Sequence, residues 1–270
     1  MQPHPLNPGF VWADRKGPFR RLSPEQVRRY DEQGFVVVED VFDRATLDEL
    51  IAAIDPIEEE LTAMVREKLG GKAFIMRSDE ITFAAHLVAK SEVARRFTHD
   101  PFFLDVTHDL LGPDVQLYWD QSVYKKPGTE APFPWHQDNG YAFVLPQQYL
   151  TCWVALTDAT LDNGCPWVIP GAHREGTYAH ELEDLGWVCT RDPEEKMPAP
   201  VAAGGVVLFS SLTPHATGPN STDDVRKAYI VQYSPMGAEV VTLDGDREIR
   251  TPANSPEFQY SVLAGGEPAN

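Results

Sequence analysis

His136 and Asp138, separated by one residue in Trp135-His136-Gln137-Asp138, together with the distant His215, are the side chains best suited to hold a metal ion. In an extended strand, side chains two positions apart point to the same side, so His136 and Asp138 are expected to reach one ion while Gln137 faces away. His215 closes the triangle. Two imidazoles and one carboxylate on one face of a metal leave the opposite positions open, which suits a non-haem Fe(II) centre that binds a co-substrate and O2 together. Such a centre keeps a net positive charge, so a keto acid can chelate it through the keto group and one carboxylate. A second, distant carboxylate would need a cation. Arg226 is the candidate, because a guanidinium is permanently charged and offers a planar fork of donors. A His-x-Asp tripeptide alone decides little, since histidine is commoner as an ordinary core or surface residue, and Arg226 could instead pair with Asp223 or Asp224 at the surface. The combination carries the reading.

These residues must be positioned by strands. From Val115 to Pro235 the segments are short, alternating or β-branched, punctuated by Lys126-Pro127-Gly128, Asp162-Asn163-Gly164, Pro170-Gly171 and Gly218-Pro219-Asn220. The predicted strands are Val115 to Lys125, Trp135 to Asp138, Tyr149 to Thr157, Pro166 to Ile169, Gly205 to Ser210 and Lys227 to Tyr233. The turn-rich stretch from Gly218 to Asp224 predicts that the strand starting near Arg226 runs back beside the one ending near His215, so that both share a cavity. Upstream the texture is helical. Ser23-Pro24-Glu25-Gln26 is a helix start, with Ser23 as cap and Gln26 able to reach back, and that helix ends near Gly34. Phe35 to Val38 is a short strand. A helix from Asp43 places Leu47, Leu50, Ile51 and Ile54 on one face, and Pro56 is expected to break or kink it. A second helical stretch runs from about Pro56 to Leu69, and a third from about Glu92 to Leu110. Helices first and strands afterwards predict a β-rich α+β fold, with helices outside a jelly-roll sandwich.

The chain has 270 residues with 42% hydrophobic content, enough for one substantial core. Its net charge of −18 repels a phosphate backbone, which argues against nucleic acid and anionic membranes as partners. No apolar run approaches a membrane span, and the first residues lack the basic and apolar regions of a secretory signal, so a soluble cytoplasmic protein is expected. Cys152, Cys165 and Cys189 are odd in number and widely spaced, which predicts reduced thiols rather than a disulfide framework. Cys152 lies in an apolar run and reads as packing material. Residues 1–22, rich in Pro, Gly and Arg, read as an arm or lid rather than core. His86, His99, His108 and His180 are expected to face solvent, and His173, after the Pro170-Gly171 turn, to fix loop backbone rather than bind metal.

Several stretches together resemble the phytanoyl-CoA dioxygenase family of Fe(II)/2-oxoglutarate-dependent oxygenases. They are Gln121 with Lys126-Pro127-Gly128, His136-Gln137-Asp138, Asp162-Asn163-Gly164-Cys165 leading to Pro170-Gly171-Ala172-His173, and Gly205 through Phe209, His215, Thr217 and Arg226-Lys227-Ala228. The likeness spans roughly Gly34 to Pro235. It implies a distorted double-stranded β-helix (cupin-like) core flanked by N-terminal helices, with His136, Asp138 and His215 as catalytic iron ligands. It also implies that Arg226 pairs with the far carboxylate of 2-oxoglutarate, that Thr217 bonds the same end, and that Trp153 and Gln121 line the cofactor pocket. The implied cofactor and co-substrates are Fe(II), 2-oxoglutarate and O2. On this reading residues 23–238 form one oxygenase domain, with a helical flank over about 23–112, a β-core over about 113–238, and a C-terminal extension over 239–270. Asp138 disfavours halogenation, for which related enzymes carry a small residue at that position.

The expected substrate is a mostly apolar small molecule, such as a secondary metabolite, recognised by the arm, by Phe74 to Arg77, by Tyr141 to Phe143 and by the loop between Trp167 and Trp187. No basic patch marks a coenzyme A or phosphate site. Two other readings use the same residues: a zinc-dependent hydrolase or isomerase on a cupin-like barrel, which gives Arg226 no task, and an inactive binding module, which should lack a ligand.

Overall fold

The first helix, α1 (Pro24–Gln33), is closed at both ends by its own sequence. Ser23 and Gln26 form the reciprocal cap, and Gly34 ends the helix in the left-handed region at φ 85°. Gly34 has a second duty, because a Cβ there would lie 2.6 Å from both His173 Nδ1 and Thr213 Oγ1. The chain is a computed structural model that describes residues 1–245 and 247–269. Asp246 and Asn270, inside the expected C-terminal extension, lie outside the described residues.

In chain order the strands begin with β1 (Phe35–Val38), β2 (Lys72–Ala73), β3 (Met76–Arg77), β4 (Ile81–Ala85), β5 (Val115–Lys125), β6 (Phe133–His136), β7 (Phe143–Leu145), β8 (Leu150–Ala155) and β9 (Pro166–Val168). There follow β10 (Glu181–Glu183), β11 (Gly186–Val188), β12 (Met197–Pro198), β13 (Val206–Ser210), β14 (His215–Thr217), β15 (Arg226–Pro235), β16 (Glu239–Asp244) and β17 (Arg247–Pro252), with β18 (Ser261–Ala264) and β19 (Glu267–Pro268) last. The major sheet runs β1-β13-β8-β15-β5-β4-β3-β2, and β18 also pairs with β5. Opposite it lies the small sheet β12-β9-β14-β6, and β17-β16-β7 form a third. This is the jelly-roll sandwich that the strand pattern predicts and the cupin-like double-stranded β-helix that the resemblance implies.

The major sheet is covered on both faces, and the alternation of its side chains says with what. Cys152, Val154, Leu208, Tyr229 and Val231 join the helices in one core. Their neighbours Trp153, Ala155, Val207, Phe209, Ala228 and Ile230 turn the other way, towards Phe133, Cys165 and Val168 of the opposing side. The inner face holds the candidate site. The helices supply Val27, Tyr30, Leu47, Leu50, Ile54, Phe102 and Phe103 to the outer core. Cys152 is fully buried packing material there, and all three cysteines are unpaired.

Several local expectations need correction. The helix α2 (Arg44–Leu69) continues through Pro56. Proline costs it one backbone hydrogen bond, but Leu47, Leu50, Ile54 and Val65 stay docked on either side of it. The third expected helix is two, α3 (Glu92–Phe97) and α4 (Pro101–Leu111). Asp100 caps the second of these by accepting from Phe102 N, and Pro101 starts it, a break written in the Asp-Pro pair. Trp12, in the expected arm, is buried in the outer core beside Tyr30 and donates to Asp31 Oδ1 at 3.2 Å. Among the described residues, no helix is long and apolar enough to cross a membrane.

Candidate active site

His136 ends β6 and His215 begins β14, and the register of these antiparallel strands sets the two histidines directly opposite each other. Their rings lie 4.1 Å apart, centre to centre. Both rings are fixed in the same way. His136 Nδ1 donates to Pro134 O at 2.8 Å and His215 Nδ1 donates to Thr213 O at 3.0 Å. A carbonyl only accepts, so Nδ1 carries the proton and each Nε2 presents a lone pair. Burial drives the His136 pKa down to about 3 and that of His215 to about 4, so both are neutral at physiological pH. Thr213 is itself anchored, through its hydroxyl, to Gly34 O at 2.7 Å. The end of α1 thus sets the turn that aims His215.

Asp138 does not share a strand with His136, contrary to the expectation. The chain leaves β6 and enters a 3-10 turn, Asp138–Gly140, through an extended Gln137. The carboxylate still arrives, with Oδ1 4.0 Å from His136 Nε2 and 3.8 Å from His215 Nε2. The three residues offer donor atoms within 4.8 Å of one another. Burial raises the Asp138 pKa, which marks a carboxylate lacking a counter-charge. Two neutral, aligned imidazoles and one buried carboxylate fit a divalent ion, and they fit ferrous iron with open positions.

The turn is stapled from behind by residues that sequence reasoning missed. Gln137 is fully buried, and its amide donates to Gly176 O at 2.9 Å and Leu212 O at 2.6 Å while accepting from Tyr178 N at 2.6 Å. His180 is half-buried rather than solvent-facing, and its Nε2 accepts from Gln137 N at 2.9 Å. His86, His99 and His108 are likewise half-buried. His173 lies outside the donor triad; it is buried and its Nε2 donates to Asp31 O at 3.1 Å, so the backbone it fixes is that of α1 rather than its own loop. The only advance signal for Gln137 was its place between two ligands, and none pointed to His180.

The donors open on a cavity of about 420 Å³ whose lining includes Gln121, Trp153 and Thr217 besides the triad. Gln121 accepts from Trp119 Nε1 at 3.2 Å. Arg226 is fully buried, with its guanidinium 5.1 Å from the centre of the Trp153 ring. Among the described residues its guanidinium has one partner, Val123 O at 3.4 Å; Nε, Nη2 and the Thr217 hydroxyl have none. Among the described residues Arg226 therefore has no surface ion pair. Lys227 takes that role, with Asp55 at 2.7 Å.

One geometric expectation fails here. The strand of Arg226 does not run beside that of His215: β15 pairs with β5 and β8 in the major sheet, whereas β14 pairs with β6 and β9 in the small one, and His215 lines the cavity while Arg226 does not. A jelly roll sends successive strands to opposite sheets, so the turn between them crosses the sandwich.

Fold and site together define an Fe(II)/2-oxoglutarate-dependent non-haem dioxygenase, with Fe(II) as cofactor and 2-oxoglutarate and O2 as co-substrates. The phytanoyl-CoA dioxygenase (PhyH) family model matches residues 30–228, and the chain belongs to that family. A phytanoyl-CoA dioxygenase domain-containing protein 1 from Bos taurus is 29% identical over 261 residues, covering 77% of this chain and 88% of the relative. The non-haem α-ketoglutarate-dependent carbocyclase SnoK of nogalamycin biosynthesis superposes with a TM-score of 0.67 at 27% identity, over 82% of this chain and 87% of SnoK. EvdO2 of Micromonospora carbonacea var. aurantiaca, solved with 2-oxoglutarate, shares the fold at TM-score 0.65 and 22% identity, over 88% of this chain and 97% of EvdO2.

Proposed function

We propose that this chain oxidises a C–H bond of a mostly apolar small molecule, with hydroxylation as the outcome, while 2-oxoglutarate and O2 become succinate and CO2. The observation that carries the proposal is the meeting of His136, Asp138 and His215 on the wall of an apolar cavity. In this reading those three residues hold the iron, which when bound with keto acid and O2 supplies the oxidising power. Arg226 takes the far carboxylate of 2-oxoglutarate on the N–H groups that no chain atom satisfies, and Thr217 adds its free hydroxyl. Trp153, in the lining and 5.1 Å from the guanidinium, flanks that carboxylate, and Gln121 leaves its amide N–H groups for a ligand.

The rest of the lining selects the substrate. Phe74, Ile75, Phe83, Tyr118 and Tyr141 offer apolar and aromatic surface, and among the described lining residues the only titratable groups besides tyrosine are the triad itself, His136, Asp138 and His215. No lysine or arginine there could meet the phosphates of coenzyme A. A neutral small molecule, of the kind modified in secondary metabolism, fits such walls; the likeness to SnoK, a carbocyclase of nogalamycin biosynthesis, supports that choice. The test is a small-molecule library incubated with Fe(II), 2-oxoglutarate and air, read by mass. A gain of one oxygen, with stoichiometric succinate, is expected for an uncharged compound. Turnover only of acyl-coenzyme A thioesters would overturn the substrate class.

A further inference from the structure

The two oxygens of Asp138 are treated differently by the chain. Oδ1 is turned to the imidazoles, whereas Oδ2 accepts from the Thr151 hydroxyl. That hydroxyl is in turn the acceptor for Gln232 Nε2 at 3.2 Å. Thr151 on β8 and Gln232 on β15 are direct cross-strand partners on the inner face of the major sheet, both buried. A hydroxyl has one proton to give. With the Gln232 amide occupying its acceptor side, that proton goes to the carboxylate. Asp138 needs such a hold, because it lies in a 3-10 turn and no strand geometry aims it.

We infer that Thr151, backed by Gln232, is a positioning residue that restricts Asp138 to one metal-binding oxygen and so reserves coordination space for the keto acid. The inference rests on the function proposed above. Carboxylates bind metal ions through one oxygen or both, and a carboxylate free at both can swing to chelate. The second oxygen would then occupy space that the co-substrate requires. The three ligands alone do not decide between the two modes; here a neighbouring strand does.

Thr151→Val keeps the shape of the side chain and removes the hydroxyl. In anaerobic titrations the variant is expected to bind Fe(II) within about threefold of the parent but 2-oxoglutarate about tenfold more weakly, the lower end of the loss in activity that follows removal of a ligand's hydrogen-bond partner. The affinity is read from the visible charge-transfer absorption of the ferrous keto-acid complex. Thr151→Ser, which restores the hydroxyl, should recover most of the loss, and Gln232→Leu should show a smaller loss of the same kind. A crystal structure of the Mn(II)-loaded Thr151→Val protein should have both Asp138 oxygens on the metal, against one in the parent. Unchanged keto-acid affinity in Thr151→Val, or a serine variant as weak as the valine one, would overturn the inference. If the parent itself gives no charge-transfer absorption, the proposed function falls, while the Mn(II) structures still decide the role of Thr151. Should the valine variant fail to fold, Gln232→Leu and Thr151→Ser carry the test.

Discussion

The two ends of the cavity differ in how the chain treats its own polar groups. At the triad, each imidazole donates to a backbone carbonyl, and one carboxylate oxygen is held by Thr151. What remains free there is two lone pairs and one oxygen, converging on one point. At the other end, Thr217 in the lining and Arg226, outside the lining but with its guanidinium against the lining residue Trp153, are buried with N–H and O–H groups that no described chain atom meets. Unmet buried donors cost stability, and burial pulls even the Arg226 pKa down to about 10. The first end is pre-organised for an ion. The second is left incomplete, as expected where a ligand brings the missing acceptors.

The largest break in this contrast should come from the triad. Asp138→Ala is expected to abolish turnover although both imidazoles remain, measured as succinate release in air; residual activity within tenfold of the parent, by about one part in ten, would put the carboxylate outside the metal site. Arg226→Ala should leave iron bound and weaken 2-oxoglutarate by about 2–4 kcal/mol, the scale for truncating one partner of a buried charged contact. An unchanged KM for 2-oxoglutarate would remove Arg226 from the mechanism. Away from both ends, His173 gives a pH effect. Burial lowers its pKa to about 4, below the value of about 6.5 in an unfolded chain. Its contribution is complete above about pH 6.5 and is lost as pH falls towards 4, by about 1 kcal/mol per unit. Thermal melts of metal-free protein should fall over that window, and His173→Asn should make the fall shallower. The smallest effect is expected from Thr217→Val, about 1 kcal/mol in 2-oxoglutarate affinity, seen as a raised KM with kcat little changed.

What the sequence made legible follows the physics of each signal. Ser23 and Gln26 cap a helix through contacts three residues apart, and α1 starts where they say. The alternation in β5 and β15 shows in the text because each strand is long and faces two cores. His136, Asp138 and His215 could be proposed as one set because chemistry needs those donor types together. The partners that orient them were hidden. Thr151, Gln137 and His180 act through pairings far apart in the chain, and a threonine on an inner strand face reads as ordinary β-propensity. The misplaced neighbour of β14 has the same origin, since a turn signal tells that the chain reverses and not which sheet receives it. Pro56 does not break α2, because local propensity weighs less than a docked apolar face.

The most direct measurement is an anaerobic titration of the metal-free protein with Fe(II) in the presence of 2-oxoglutarate. A visible charge-transfer absorption that saturates at one iron per chain in the parent, and is absent from His215→Ala, is the expected result. Tight zinc binding with no such absorption under ferrous conditions would contradict the account.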